Sequence, residues 1–372
     1  MASKVYFADM RATGPKTSTV AKIERLLSAL EVGKAVRKGD LTAIKIHFGE
    51  LGNDSYVSPV FARKAADLVR ASGGKPFFAD TNTLYTGSRS NGPDHLETAV
   101  AHGFDFSVCG APVVIADGIK SGDFREVEIG KKWFKRVKIA TGFLDADSMV
   151  VVSHFKGHEM AGFGGAIKNL AMGCAPAEGK REQHSCKFFV KKAKCVGCGE
   201  CAKVCPVSAP VIATESGERK ATIDKAKCIG CGECALDCPT KAITMDWEVE
   251  IAEFTEKMTE YALGAVKGKE GRVLYLSFVR DVVPECDCAS WSDSPLVADI
   301  GVLAGDDPVA IDQAAYDLVT AAPAAPGSLI EGKAGAGDDK FLAAHPGTRG
   351  LLQLEHGEAI GLGSRKYELV RI

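Results

Sequence analysis

Eight cysteines in two matching runs carry the clearest chemistry in this sequence. Cys195, Cys198, Cys201 and Cys205 precede Pro206; Cys228, Cys231, Cys234 and Cys238 precede Pro239. Both runs read C-x-x-C-x-x-C-x-x-x-C-P, a ligand spacing for iron–sulfur clusters. Thiolates three residues apart wrap one face of a cubane. Glycines 197, 199, 230 and 232 let the backbone turn with positive φ beside it. The runs are offset by 33 residues throughout, and Ala193–Ala202 aligns with Ala226–Ala235. Such a duplication predicts two equivalent sites. A disulfide framework fits poorly, because Met1-Ala2-Ser3-Lys4 leads straight into strand-like Val5–Phe7 with no secretory signal. Structural zinc is ordinarily held by C-x-x-C pairs rather than by three cysteines in register followed by C-P.

Residues 191–246 resemble the bacterial two-cluster ferredoxins. The resemblance implies two [4Fe–4S] clusters, with the fourth cysteine of each run crossing to the other cluster. One cluster then takes Cys195, Cys198, Cys201 and Cys238; the other takes Cys228, Cys231, Cys234 and Cys205. Val196, Ala202, Val204, Ile229, Ala235 and Leu236 are the expected apolar wrapping. The spacer Val207–Lys227 is longer than the shortest ferredoxins need, and Val211–Thr214 with Ala221–Asp224 predicts a hairpin in it.

Further candidate residues follow strand-like runs. Lys45, His47 and Glu50 follow Leu41–Phe48; Asp80, Thr81 and Asn82 follow Phe77–Ala79; Asp117 follows Val113–Ala116. His154, Lys156 and His158 follow Met149–Ser153. Asp281, Cys286 and Cys288 follow Arg272–Phe278, and Asp306 follows Asp299–Leu303. Ligands of open α/β sheets bind beyond the carboxyl ends of strands. The set therefore predicts a ligand cleft, although capping and turns use the same residue types. Gly162–Asn169 reads as a loop entering a helix whose N-terminus, with Lys168, suits an anion. His184 and Cys186 precede the first cysteine run. His154 and His158, four residues apart, have a spacing that can share a metal on a helix, and His184 is also a cleft candidate; with these, Cys186 and Cys174, the pair Cys286 and Cys288 is a candidate extra metal or cluster site, the alternative being ordinary thiols and histidines. Cys109 reads as a small buried hydrophobe.

These positions depend on alternating elements. Thr17 or Ser18 caps a helix carrying Val20, Ile23, Leu27 and Leu30. Ser58-Pro59 and Asp307-Pro308 open two more helices. Helices are also expected at Asp94–His102, Ala166–Ala171 and Trp247–Val266. Phe124–Ile129 with Lys135–Ile139 suggests a hairpin, Ala321–Asp339 a surface loop and Tyr367–Ile372 an edge strand. Repeated βα units predict an α/β fold with a mainly parallel layered sheet. We expect this domain in two parts, residues 1–190 and 247–372, around an inserted α+β ferredoxin-like two-cluster unit at 191–246.

The 372 residues, 46% hydrophobic and 25% charged, have a net charge of −2. This balance describes a globular chain without a nucleic-acid surface, and no apolar run is long enough to span a membrane. Thirteen cysteines fit a reducing, low-oxygen cytoplasmic setting. Outside the cysteine runs the chain resembles an uncharacterised Fe–S-centre family, domain of unknown function 362. The matching stretches are Lys45–Glu50, Phe78–Tyr85, His154–His158, Gly162–Gly173, Glu285–Cys288 and Asp307–Asp312. The resemblance implies the α/β domain and a ferredoxin unit in this place, but no particular reaction. The favoured function is low-potential electron transfer to a redox partner protein, with the α/β domain recognising the partner or a small anionic ligand. The alternatives are a reductase acting in the α/β cleft through Lys45, Lys168 and the histidines, and a metal-binding scaffold or delivery module.

Overall fold

Two fully buried strands, Ser148–His154 and Val273–Val279, form the centre of the molecule, because their near-continuous apolar sequence demands cover on both faces. The computed structural model describes all residues except 1, 86, 185–187, 216, 229, 231 and 246–249. Its main sheet contains β1 (Ser3–Asp9), β2 (Leu41–Lys45), β3 (Lys75–Asp80), β4 (Val113–Ile115), β5 (Ser148–His154), β6 (Val273–Val279), β7 (Gly301–Gly305) and β8 (Tyr367–Arg371). The spatial order is β8-β1-β7-β6-β5-β2-β3-β4. Every neighbouring pair is parallel except the two pairs made by β7. The fold is thus α/β with a mostly parallel sheet, and strands from both ends of the chain interleave in it.

Alternate residues of one strand feed different cores. Val150 and Val152 pack with helices Thr19–Ala29 and Pro59–Ala71, whereas Met149 and Val151 pack with Ala166–Ala171, Glu250–Val266 and Pro308–Ala321. Ser18 caps the first of these helices by accepting the Ala21 N–H at 3.3 Å. Its buried face is Lys22, Ile23, Leu26 and Leu27, with Val20 and Leu30 only half-buried. Asp307 caps Pro308–Ala321. No helix among the described residues is long and apolar enough to cross a membrane.

The antiparallel β7 corrects one expectation. Its carboxyl end, and with it Asp306, lies on the edge opposite the ends of β2, β3, β5 and β6. Asp307 there meets Ser3 and Ser364 at the beginnings of β1 and β8. Asp306 therefore cannot join the residues at the other edge.

Between β5 and β6 the chain forms smaller pieces. Phe188–Val190 pairs antiparallel with Ile243–Met245, and Pro210–Glu215 makes a hairpin with Glu218–Ile223. Short helices cover Glu200–Val204 and Glu233–Leu236. None of these strands joins the main sheet. The expected helix start at Trp247 lies outside the described residues; the helix is described over Glu250–Val266.

The glycine-rich run also folds differently from the expected anion seat. Gly162–Gly164 pairs with Lys156–His158, and the following helix is only Ala166–Ala171. The buried Asp312 carboxylate accepts the N–H groups of Ala166 and Ile167 at 2.7 and 2.9 Å. The chain's own anion therefore fills this helix start. A Cβ on Gly165 would stand 2.3 Å from Asp312 Oδ1, so glycine is needed for the approach.

Burial pushes the Asp312 carboxyl up to about 7 despite the two N–H donors. Because this folded-state value exceeds the unfolded value near 3.8, the associated stabilisation is full below pH 3.8 and lost as pH rises through about 7. Asp312→Asn removes that titration. Unfolding midpoints should show the parent losing about 2 kcal/mol relative to this variant between pH 5 and pH 8.

Candidate functional site

The duplicated cysteines gather around two hollows. One is lined by Cys195, Cys198, Cys201 and Cys238 together with Ala221, Pro239, Ala242 and Ile243. The other is lined by Cys205, Cys228 and Cys234 with Phe188, Val207, Ala209 and Ile223. Cys231 lies outside the described residues. Cys238 thus sits with Cys195, Cys198 and Cys201, and Cys205 with Cys228 and Cys234. The repeat is reproduced in the hydrogen bonds: Ala209 N–H donates to Cys205 Sγ at 3.3 Å, and Ala242 N–H to Cys238 Sγ at 3.2 Å. Ala221 N–H donates to Cys195 Sγ at 3.3 Å. Gly197 has φ 66°, and a Cβ there would meet Arg219 O at 2.3 Å.

Four thiols around one hollow are a donor set that fits a thiophilic metal centre. Burial, then the neighbouring thiols of Cys198, Cys195 and Cys238, pushes the Cys201 thiol above its ordinary range. Four sulfurs this crowded repel one another as thiolates unless positive charge lies between them. Of the expected wrapping, Val196 lines the first hollow although it is 65% exposed, whereas Ala202 is exposed and lies outside that lining. Val204 and Ala235 are half-buried; Ile229 and the Leu236 side chain lie outside the described residues.

At the carboxyl edge of the main sheet, the candidate cleft residues are brought together and largely paired with one another. Lys45, at the end of β2, reaches Asn169 Oδ1 at 2.7 Å and Asp80 at 3.0 Å. Gly173 makes room, since a Cβ there would lie 2.1 Å from Lys45 Cε. Burial opposes charge on Asp80, but Lys45, His47, His95 and Arg89 hold its carboxyl below the usual range. Asn82 bonds Asp117 and Gly118 O, while Lys180 reaches Thr81 Oγ1, Asn82 O and Ala175 O.

A second group lies at the end of β5. The two ring nitrogens of His154 face Asp287 Oδ1 at 2.8 Å and the carbonyls of Arg280 and Asp281 at 2.9 and 3.0 Å. Lys156 Nζ donates to Asp287 Oδ2 at 3.0 Å. Burial disfavours the Asp287 carboxylate, yet His154 and Lys156 outweigh it and hold the carboxyl well below its ordinary range. His158 turns inward, its Nδ1 accepting the N–H groups of Met160 and Ala161; burial pushes it down to about 3. His154 and His158 therefore do not share an ion. His184 is half-buried, its ring centroid 4.9 Å from that of Phe254, and Cys186 lies outside the described residues.

Cys286 and Cys288 meet His47. Their three candidate ligand atoms lie within 4.8 Å of one another. The sulfurs are 3.0 Å apart, His47 Nε2 is 3.3 Å from Cys288 Sγ, and Lys168 Nζ is 3.6 Å from Cys286 Sγ. The hydrogen bond between the two sulfurs lowers the Cys286 thiol to about 6; burial opposes this and Lys168 assists it. Cys174 lies outside this group, beside Lys45 and Asp80, and burial drives its thiol up to about 12. Cys109 is wholly buried.

Some principal members of the edge were not singled out from the sequence. Arg89 pairs with Glu50 at 3.0 Å, approaches Asp80 at 3.7 Å and donates to Tyr85 Oη at 2.6 Å. It comes from a polar loop with no periodic signal. Lys180 sits in Ala177–Gln183, whose charged sequence looks solvent-facing. Glu233, beside Cys234, is pushed up to about 7 by burial, then by Asp237 and Glu50. The cysteine-rich segment therefore feels the charge of the strand edge.

These features define an α/β protein with a buried ionic network at its strand ends. The family model for Domain of unknown function (DUF362) matches residues 42–317, and the chain belongs to that family. No curated protein matches it. Among solved structures it is similar to the lactate racemase apoprotein from Thermoanaerobacterium thermosaccharolyticum. The identity is 15% and the TM-score 0.39, over 75% of this chain and 51% of that one. The chain thus spans about half that protein's length, and so loose a likeness carries no functional argument.

Arg89→Met should leave Glu50 and Asp80 buried with less compensation. The expected cost is about 3–5 kcal/mol, measured as a lower anaerobic unfolding midpoint. Arg63→Met, at a largely exposed i,i+4 pair, should change it by less than about 1 kcal/mol.

Proposed function

We propose that this chain is an iron–sulfur electron-transfer protein. In this reading residues 191–246 form a ferredoxin-like insert holding two [4Fe–4S] clusters, and residues 1–190 and 247–372 together supply partner or ligand recognition. The observation that carries the reading is the exchange of terminal cysteines between the two hollows: Cys238 with Cys195, Cys198 and Cys201, and Cys205 with Cys228 and Cys234. Cys231 supplies the remaining thiolate by its place in the repeat. When bound, such clusters supply single-electron transfer at low potential.

The chain's own residues would set the conditions for that transfer. The N–H groups of Ala209, Ala221 and Ala242 offset negative charge on ligand sulfurs and favour the reduced state. Phe188, Ile223 and Ile243 limit water around them. Cys198 and Val196 are exposed, which gives the first hollow an edge open to a redox partner protein.

Single substitutions test the exchange. Cys238→Ala should eliminate the same spin-coupled cluster signal as Cys201→Ala, and Cys205→Ala the same one as Cys234→Ala. Each variant should keep about four of about eight iron atoms. If Cys238→Ala instead matched Cys234→Ala in paramagnetic resonance of the reduced protein, the two runs would be binding separately.

A further inference from the structure

We propose that Cys286 and Cys288 form a redox-active dithiol–disulfide pair, with Cys288 meeting an external disulfide and Cys286 closing the internal bond. The proposal does not depend on the cluster reading. The Ala289 N–H donates to Cys286 O at 2.9 Å, closing a turn with Asp287 and Cys288 at its centre. That turn brings the two sulfurs to 3.0 Å. Asp287 anchors it from within, its side chain held by His154 and Lys156 and its carbonyl accepting the Glu50 N–H at 2.9 Å. The two sulfurs are therefore presented together by a fixed backbone.

The neighbouring groups act as donors to sulfur. His47 Nδ1 accepts the Gly49 N–H at 2.9 Å. In the neutral ring the proton then resides on Nε2, which faces Cys288 Sγ at 3.3 Å. A metal at Nε2 would need the opposite tautomer, whose Nδ1–H would oppose the Gly49 N–H. Lys168 brings a second donor to Cys286 Sγ at 3.6 Å, an unfavourable neighbour for a divalent cation. The sulfurs are also closer than the roughly 3.8 Å implied by two Zn–S bonds of tetrahedral zinc. These three features favour a thiol pair over a metal ion.

Burial assigns the order of attack. Cys288 is half-buried, whereas Cys286 is only 3% exposed. As its thiolate, Cys288 attacks one sulfur of an external disulfide RSSR; the S–S bond breaks, and the departing RS⁻ takes up the proton that Cys288 gave up and leaves as RSH. The Cys286 thiolate, beside Lys168, then attacks Cys288 sulfur in the mixed disulfide. The second RS⁻ leaves and takes up the proton released when Cys286 ionised. One protein disulfide and two RSH result: the cysteine pair loses two electrons, and RSSR gains them.

Glutathione provides the test. Anaerobic protein is equilibrated with stepped ratios of reduced to oxidised glutathione, quenched in acid with N-ethylmaleimide and mapped by peptide mass. The segment containing Cys286 and Cys288 should carry two maleimides at the reducing end and none at the oxidising end, through one two-electron transition. Cys286→Ser should trap one glutathione on Cys288, whereas Cys288→Ser should leave Cys286 free of glutathione. Parent protein alone decides the principal claim if a variant fails to fold. Two maleimides at every ratio would overturn it. So would a stoichiometric metal ion that stays bound to the pair under reducing conditions, counted before the acid quench.

Discussion

Buried charge at the carboxyl edge of the sheet constrains the α/β architecture more than any single apolar contact. Lys45, Asp80, Arg89 and Glu50 link β2 with β3 and the loop after it. His154 and Lys156 then bind β5 and its following hairpin to Asp287, beyond β6. Removing one partner strands another charge away from water, which costs several kcal/mol. Chain segments far apart in sequence are thereby required to meet in one arrangement. The Cys286–Cys288 turn inherits its position from that requirement, because Asp287 is its middle residue.

The cysteine-rich segment follows a different constraint. Its described cysteines line two hollows, and the N–H groups of Ala209, Ala221 and Ala242 point at three of their sulfurs. Cys205 and Cys238 exchange hollows and tie the halves of the repeat together. The influence of Glu50 on Glu233 joins this segment electrostatically to the strand edge.

Most regular elements were legible in the sequence because their signals are local. Met149–Ser153 is a continuous apolar run, and Asp307-Pro308 combines a cap with a fixed first φ. Strand direction has no such local signal, which is why the antiparallel β7 and the far-edge position of Asp306 were not anticipated. Asp312 lies 146 residues from the Ala166 N–H it accepts, so periodicity could not reveal it as a cap. Arg89 and Lys180 look like surface charges until folding buries them beside acidic groups. The candidate cleft residues were recognised as neighbours, but their mutual pairing was hidden: Lys45 with Asp80, and His154 with Asp287.

The central claim is that the duplicated cysteines hold two iron–sulfur cubanes. Iron and acid-labile sulfide counted together in anaerobically purified protein test it most directly. The account predicts about eight of each per chain. Zinc in place of iron, or iron without matching sulfide, in protein whose eight cysteines remain intact would contradict it.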